Sequence, residues 1–356
     1  MSASPLRESV IPLPSRMIEP VVLICGTVDH ACDEQKDILE SVGTVHKLEA
    51  QTREDFFESL AEGGTLSGVT HIYRHNSSAD KIGVFDTALI ERLPSSVKAI
   101  CHNGAGYDQI DVTAATKRGI WVSHTPGAVD ESTADVAMWL ILTSLRRFDL
   151  SNQNAKQGKW KSGLIPGRDP NGKTLGIVGL GGIGCALARR AAAFGMSIIY
   201  HNRNPSPSAP KGAKYISSLA ELLKQADVVS LNLPLNDQTR GTFGREQFER
   251  MKHGAVLINT ARGGVVDEEG MLKALESRQL GVAALDVFPN EPHIDERLRD
   301  HPNVIVLPHV GTQSLDTEHK MELQTFRSIR SSIDRLLHNA DDAGKPDFLV
   351  KEQQHL

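Results

Sequence analysis

Residues 174–184 read Thr-Leu-Gly-Ile-Val-Gly-Leu-Gly-Gly-Ile-Gly, and the rest of the 356-residue chain is organised around them. The apolar run 175–178, broken only by Gly176, leads directly into Gly179, Gly181 and Gly184 at G-x-G-x-x-G spacing, and a helix-compatible segment, 185–194, follows at once. Strand, glycine turn and helix in that order are what a dinucleotide diphosphate requires. Gly179 permits the tight turn, Gly181 lets backbone N–H groups approach the phosphates, and Gly184 lets the helix pack close to the strand with its positive end toward the anion. A single G-x-G-x-x-G is a weak signal, so the remaining sequence has to agree with it.

Length and composition set the outer limits. A chain of 356 residues suggests two domains, and 40% hydrophobic with 23% charged residues is the balance of a soluble globular protein. A net charge of −5 gives no reason to expect nucleic acid or an anionic membrane as partner. No apolar run approaches the roughly 20 residues of a membrane helix. The four cysteines form no C-x-x-C pair, and Cys25 and Cys101 close apolar runs. Buried free thiols in a reducing compartment, the cytoplasm, are therefore expected. Residues 1–19, interrupted by Pro5, Pro12 and Pro14, read as an arm without the apolar core of a secretory signal. The last three residues, Gln354-His355-Leu356, depart from a peroxisomal address at Gln354.

Taken in order, the first 120 residues alternate short β-branched runs (21–25, 69–73, 97–101, 120–122) with polar amphipathic segments (33–42, 53–62, 87–93). This predicts a parallel sheet covered by helices on both faces. The segment 131–147 is the clearest helix, apolar on most sides and so expected to be buried between larger units, with Trp139 and Trp160 packing rather than binding ligand. A proline- and glycine-rich loop, 163–172, precedes a second series with strands at 174–178, 197–200, 227–231, 255–259, 281–287 and 303–307 and helices at 219–225 and 268–277. One long helix, 314–337, follows. The second series already has enough strands, so this helix is expected to return to the first domain. The tail from His338 reads as polar and irregular.

The strand after the glycine helix ends in His201-Asn202-Arg203. An NAD site usually carries Asp or Glu there to accept the ribose hydroxyls. Asn202 removes the repulsion that a carboxylate would exert on a 2′-phosphate, and Arg203 offers it a planar charged fork. NADP(H) is expected over NAD(H), which stays possible; Arg203 could also simply end a solvated strand.

Three strand ends carry the candidate chemistry. Arg262 follows the strand 255–258, Glu291 lies between prolines after 281–287, and His309 closes the strand 303–307. Separately, each has an ordinary reading: a surface ion pair, a solvated loop acid and a structural histidine. Together they make a hydride-transfer site. His309 gives a proton to a carbonyl oxygen, Glu291 stabilises the imidazolium, and Arg262 anchors a carboxylate and polarises the carbonyl. Small residues in His102-Asn103-Gly104-Ala105-Gly106 could expose backbone N–H groups to the same carboxylate, or could mark an ordinary strand-to-helix turn. The segment 73–81, with Arg74 and His75, is expected to line the entrance. Cys101, His102 and His124 are not at metal-ligand spacing, and no metal is expected.

Five ordered stretches, H-N-G-A-G-Y-D-Q-I-D (102–111), G-L-G-G-I-G (179–184), N-T-A-R-G-G-V-V-D-E (259–268), A-L-D-V-F-P-N-E-P (284–292) and L-P-H-V-G-T (307–312), resemble the D-isomer-specific 2-hydroxyacid dehydrogenase family, most closely its fungal glyoxylate/hydroxypyruvate reductase branch. The resemblance implies an α/β fold of two Rossmann-like parallel-sheet domains. One is a discontinuous flavodoxin-like substrate domain (1–124 and 309–356), the other a dinucleotide-binding domain (125–308). It implies Arg262, Glu291 and His309 as the catalytic group, and Ala105 and Gly106, with Arg262 and His309, as the substrate site. To the cofactor contacts read above from the residues, Gly179, Gly181, Gly184, Asn202 and Arg203, it adds Gly182, Ile183, Pro234, Thr260, Ala261 and Asp286, and Arg262, His309 and Gly311 complete the set; Asn202-Arg203 is where the chain departs from many NAD-using relatives, which carry an acid there. It further implies a homodimer acting on glyoxylate, hydroxypyruvate or another small 2-oxo acid. Two other readings remain: a dinucleotide-sensing corepressor-like binding protein, and a phosphite or formate dehydrogenase.

Overall fold

The β-branched runs of both halves form two wholly parallel sheets in the computed structural model, which describes residues 19–338 and 344–356. The proline-containing arm, up to residue 18, lies outside the described residues. The first sheet comprises β1 (Val21–Cys25), β2 (Thr44–Lys47), β3 (His71–His75), β4 (Ala99–Asn103) and β5 (Trp121–Ser123), in the flavodoxin-like order β2-β1-β3-β4-β5. β3 and β4 each start two residues later than the apolar pattern predicts. Val69 and Val97 are buried, but their N–H groups close turns onto Leu66 and Pro94. β2 escapes the pattern because none of its residues is fully buried.

The second sheet comprises β6 (Thr174–Val178), β7 (Ser197–His201), β8 (Lys214–Tyr215), β9 (Val228–Leu231), β10 (Ala255–Asn259), β11 (Leu280–Leu285) and β12 (Val304–Val306), in the order β12-β11-β10-β9-β6-β7-β8. Every residue of β9 and β10 is buried, as expected for strands covered on both faces. The order reverses between β6 and β9, and a ligand crevice opens at such a reversal, beyond the strands' C-terminal ends.

The Asp130–Arg146 helix packs Ala134, Ala137, Leu140 and Ile141 against Leu175 and Ile177 of β6 and the Gly182–Ala193 helix. Its burial is one-sided, contrary to expectation. Trp139 remains 44% exposed and Trp160 76% exposed, so the first is only partly covered and the second stands largely in solvent.

The Leu315–Leu337 helix does return to the first sheet, where Phe326, Ile329 and Ile333 pack with Val22, Ile24, Tyr73 and Cys101. Glu322, buried on that helix, accepts backbone N–H bonds from Asp29, His30 and Ala31. The tail is not irregular throughout. Val350 and Gln353 are buried, and the Gln353 amide acts as a missing strand at the β5 edge, accepting from Val122 N–H (2.7 Å) and donating to Ile120 C=O (2.9 Å).

Candidate active site

At the end of β10, the buried Asn259 side chain shapes the loop that follows. Its Oδ1 accepts from Ala261 N–H (3.0 Å) and its Nδ2 donates to Arg262 C=O (3.0 Å). Arg262 is thereby projected across the cleft. Its Nε donates to Asp108 of the first domain at 2.8 Å and its Nη1 to Ala261 C=O at 2.8 Å. Nη2 rests against Gly106, where any Cβ would collide with it.

Gly106 belongs to a loop whose carbonyls all turn away from Arg262. Gly104 C=O accepts from Thr125 N–H (3.0 Å), Ala105 C=O from His124 Nδ1 (2.8 Å), and Gly106 C=O from His102 Nε2 (2.9 Å). Among the described residues no acceptor takes the N–H of Ala105 or Gly106. This is the arrangement of an anion-binding nest. His102 Nε2 lies 2.9 Å from Gly106 C=O, and Nδ1 lies 3.1 Å from Arg74 C=O and 3.3 Å from Arg74 Nη1; a proton on Nε2 serves Gly106 and leaves Nδ1 to accept from Arg74. Burial first, then the Arg74 charge, holds His102 neutral, well below the ordinary histidine range. Burial also lowers His124.

Arg74 does not line the entrance, as expected from sequence, but is fully buried. It donates to the side-chain oxygens of Asn76 and Gln109, while its Nε has no partner. Burial lowers its pKa to about 10, with the Asp108 charge opposing. The guanidinium thus sets a positive charge behind the nest.

Across the cleft, His309 Nδ1 donates to Glu291 Oε2 at 2.8 Å, and Glu291 Oε1 accepts from Phe288 N–H at 2.8 Å. Burial alone would raise Glu291. The His309 and Phe288 bonds, with the His309 and Arg262 charges, outweigh it and hold the carboxyl below its ordinary value. His309 sits at φ +55°, a left-handed conformation costing a non-glycine residue roughly 1–2 kcal/mol. Asp286 restrains it: the buried carboxylate accepts from Val310 N–H (2.8 Å) and Gly311 N–H (2.9 Å). Ser132 donates to Gly311 C=O. Both backbone polar groups of Gly311 are thus used within the chain, leaving it van der Waals contact to offer a cofactor. Burial pushes Asp286 up, opposed by its bond to Val310 and the His309 charge.

With Nδ1 bound to Glu291, His309 keeps Nε2 for a ligand. Replacing Glu291 with Gln should therefore lower kcat by about 10- to 100-fold with cofactor affinity held, because the imidazole loses the carboxylate that orients it. Steady-state rates beside a cofactor titration check this; an unchanged kcat would remove Glu291 from that role.

The glycine turn fits a dinucleotide. Gly179 lies at φ +99°, and a Cβ there would strike the Asn232 carbonyl. Beside Gly181, the position of a Cβ has no atom within 4 Å, which is the room a diphosphate needs. Ile183 and Gly184 lie in the first turn of the following helix. Asn202 Oδ1 accepts from Leu180 N–H (2.7 Å), so that side chain braces the turn. Arg203 is exposed and forms no ion pair among the described residues. Thr260 Oγ1 is buried without a partner beside the crevice. Pro234 C=O accepts from Thr239, holding the loop after β9. Among the described residues, no three His, Cys, Asp or Glu side chains group as metal ligands. A cavity of about 550 Å³ walled by Arg168, Lys173, Asp227, Lys252 and Arg278 lies at the opposite, N-terminal ends of the strands, remote from His309.

Sequence reasoning placed His102 and Asp108 in the candidate loop without a role for either side chain, and missed Asp130, Ser132 and His124 as parts of this region. Asp108 stood inside a quoted motif, but its role is visible only when the two domains face each other.

The family model for the D-isomer-specific 2-hydroxyacid dehydrogenase NAD-binding domain matches residues 138–311. The chain is 44% identical over 338 residues to 4-methyl-2-oxopentanoate reductase A of Aspergillus oryzae, covering 95% of this chain and 99% of the relative. It superposes with a TM-score of 0.89 on a glyoxylate reductase from Paecilomyes thermophila, at 44% identity over 95% of this chain and 100% of the other. An NADPH-dependent glyoxylate/hydroxypyruvate reductase from Sinorhizobium meliloti, solved with NADP and malonate, gives a TM-score of 0.80 at 29% identity over 94% and 97% of the two chains. With its two parallel sheets and the facing Arg262, Glu291 and His309, the chain belongs to the D-isomer-specific 2-hydroxyacid dehydrogenase family.

Proposed function

We propose that the protein reduces a small 2-oxo acid to the D-2-hydroxy acid, with glyoxylate or hydroxypyruvate favoured and NADPH preferred to NADH. The observation that carries this is the pairing across one cleft of an anion nest backed by Arg262 with a histidine backed by a carboxylate. The substrate carboxylate lies on the N–H groups of Ala105 and Gly106 and on Arg262 Nη2, which also polarises the carbonyl. His309 Nε2 gives the proton that turns the carbonyl oxygen into a hydroxyl, and Glu291 stabilises the imidazolium beforehand. Bound nicotinamide would supply the hydride. Gly179, Gly181, Gly182, Ile183 and Gly184 would hold its diphosphate, with Pro234, Thr260, Ala261 and Asp286 along the crevice and Arg203 at the 2′-phosphate.

Steady-state rates with glyoxylate, hydroxypyruvate, pyruvate, 4-methyl-2-oxopentanoate and an aromatic 2-oxo acid, each with NADPH and NADH, test the reading. Turnover of none would return the chain to the sensing-protein class. Oxidation of phosphite or formate would favour a site with no carbonyl to protonate. Arg203→Ala should weaken NADPH use by about 10- to 100-fold, the worth of a charged hydrogen-bond pair, with little effect on NADH; equal losses would remove Arg203 from the 2′-phosphate.

The proposal extends to a cytoplasmic homodimer. Trp139, Phe148 and Phe194 leave apolar surface exposed on the adjoining helices, and all four cysteines are free. Sedimentation at twice the chain mass is the expected result.

A further inference from the structure

The glycine turn has an anionic neighbour. Asp130 opens the Asp130–Arg146 helix, and its carboxylate abuts Gly182, the first residue of the Gly182–Ala193 helix. A Cβ at position 182 would collide with both carboxylate oxygens and with Cγ. The adjacent acids are matched: Glu131 pairs with Arg189 and Arg190, and Asp135 with Arg190. Asp130, only half-buried, forms no ion pair and accepts no hydrogen bond among the described residues. The groups that face it are Glu131 on its own helix and Cys185 and Arg189 on the facing helix. Burial, then the Glu131 charge, pushes Asp130 up, with Arg189 pulling it back.

The backbone N–H groups of Gly182 and Ile183 belong to the unbonded first turn that draws a diphosphate to a helix N-terminus. An unpaired carboxylate therefore lies where a second, doubly charged anion has to dock. We propose that Asp130 is a determinant of dinucleotide affinity: its carboxylate opposes the diphosphate at Gly182, and binding takes up a proton onto it. This rests on the reading of the Gly179–Gly184 turn as the diphosphate site. The sign follows from charge. Between the titration of this carboxyl in the free protein and its higher titration beside the diphosphate, affinity falls as pH rises; on either side of that window affinity is flat.

Calorimetric titration with ADP-ribose isolates the effect, because this probe carries the diphosphate without nicotinamide and without a phosphate that titrates near neutrality. Asp130→Asn should bind ADP-ribose on the order of tenfold more tightly than the wild type at about pH 8, and the gap should narrow at about pH 5.5. Within that window wild-type binding should take up a fraction of a proton, read as a buffer-dependent enthalpy, and the variant should not. Asp130→Ser, which keeps a residue suited to a helix start, carries the same expectation should the Asn variant fold poorly. Equal affinities at both pH values would overturn the proposal, as would weaker binding by both variants, which would make Asp130 an acceptor for the ligand. If neither the wild type nor a folded variant binds ADP-ribose or NADP⁺, the diphosphate reading itself fails.

Discussion

Replacing His309 with alanine is expected to lower the reduction rate by about 10²- to 10⁴-fold, the usual contribution of a positioned proton donor, while the dinucleotide still binds. Several features around His309 exist to aim one nitrogen. Its left-handed backbone is held by the two bonds from Val310 and Gly311 to Asp286. Its Nδ1 is committed to Glu291. Removing the imidazole leaves the frame without its proton, so kcat should fall far more than cofactor affinity. The measurement is single-turnover reduction beside a cofactor titration. Retained turnover would show that water or another group protonates the carbonyl oxygen.

Arg262→Ala should lower kcat/KM for the oxo acid by roughly 10²- to 10⁴-fold, corresponding to the loss of two charge-assisted hydrogen bonds of about 1.5–3 kcal/mol each. Arg262→Lys should recover only part of this, because a point charge cannot hold Asp108, the Ala261 carbonyl and a ligand carboxylate together. Folding stability should also fall, by about 1–3 kcal/mol, since the Arg262–Asp108 pair is mostly buried, with only 24% and 19% of the two side chains exposed, and its loss leaves Asp108 unpaired. Asp108→Asn, which breaks the same pair but keeps the guanidinium, separates the two effects. If it loses as much kcat/KM as Arg262→Ala, Arg262 serves to hold the domains in place of binding substrate.

What could be read from sequence follows from physical range. Strands of the two sheets stand out because a parallel sheet buried on both faces needs uninterrupted apolar runs, and Ala255–Asn259 meets that requirement throughout. The catalytic candidates stand out because strand ends face the crevice, so Arg262, Glu291 and His309 could be placed from local context. Pairings across the cleft have no local signature. Arg262 and Asp108 are 154 positions apart, and nothing in either neighbourhood names the other. Arg74 looked like a charge for an entrance, yet it is buried because Asn76 and Gln109 supply oxygens that its own strand does not reveal. Trp160 departs from expectation for the opposite reason: an indole signals burial, yet 76% of this residue is exposed, while Trp139 is more than half covered.

The return of the Leu315–Leu337 helix to β1 bears on how the chain is made. Glu322 closes onto Asp29, His30 and Ala31 across about 290 residues, and Gln353 completes the edge beside Val122 across 231. On a ribosome, the sheet running from Thr174 to Val306 can close once its last strand emerges. The domain begun first has to wait for residues 315–353, holding Val22, Ile24 and Cys101 without their cover until then. The half synthesised first is thus completed last, and translation leaves its apolar strands exposed to chaperones for longest.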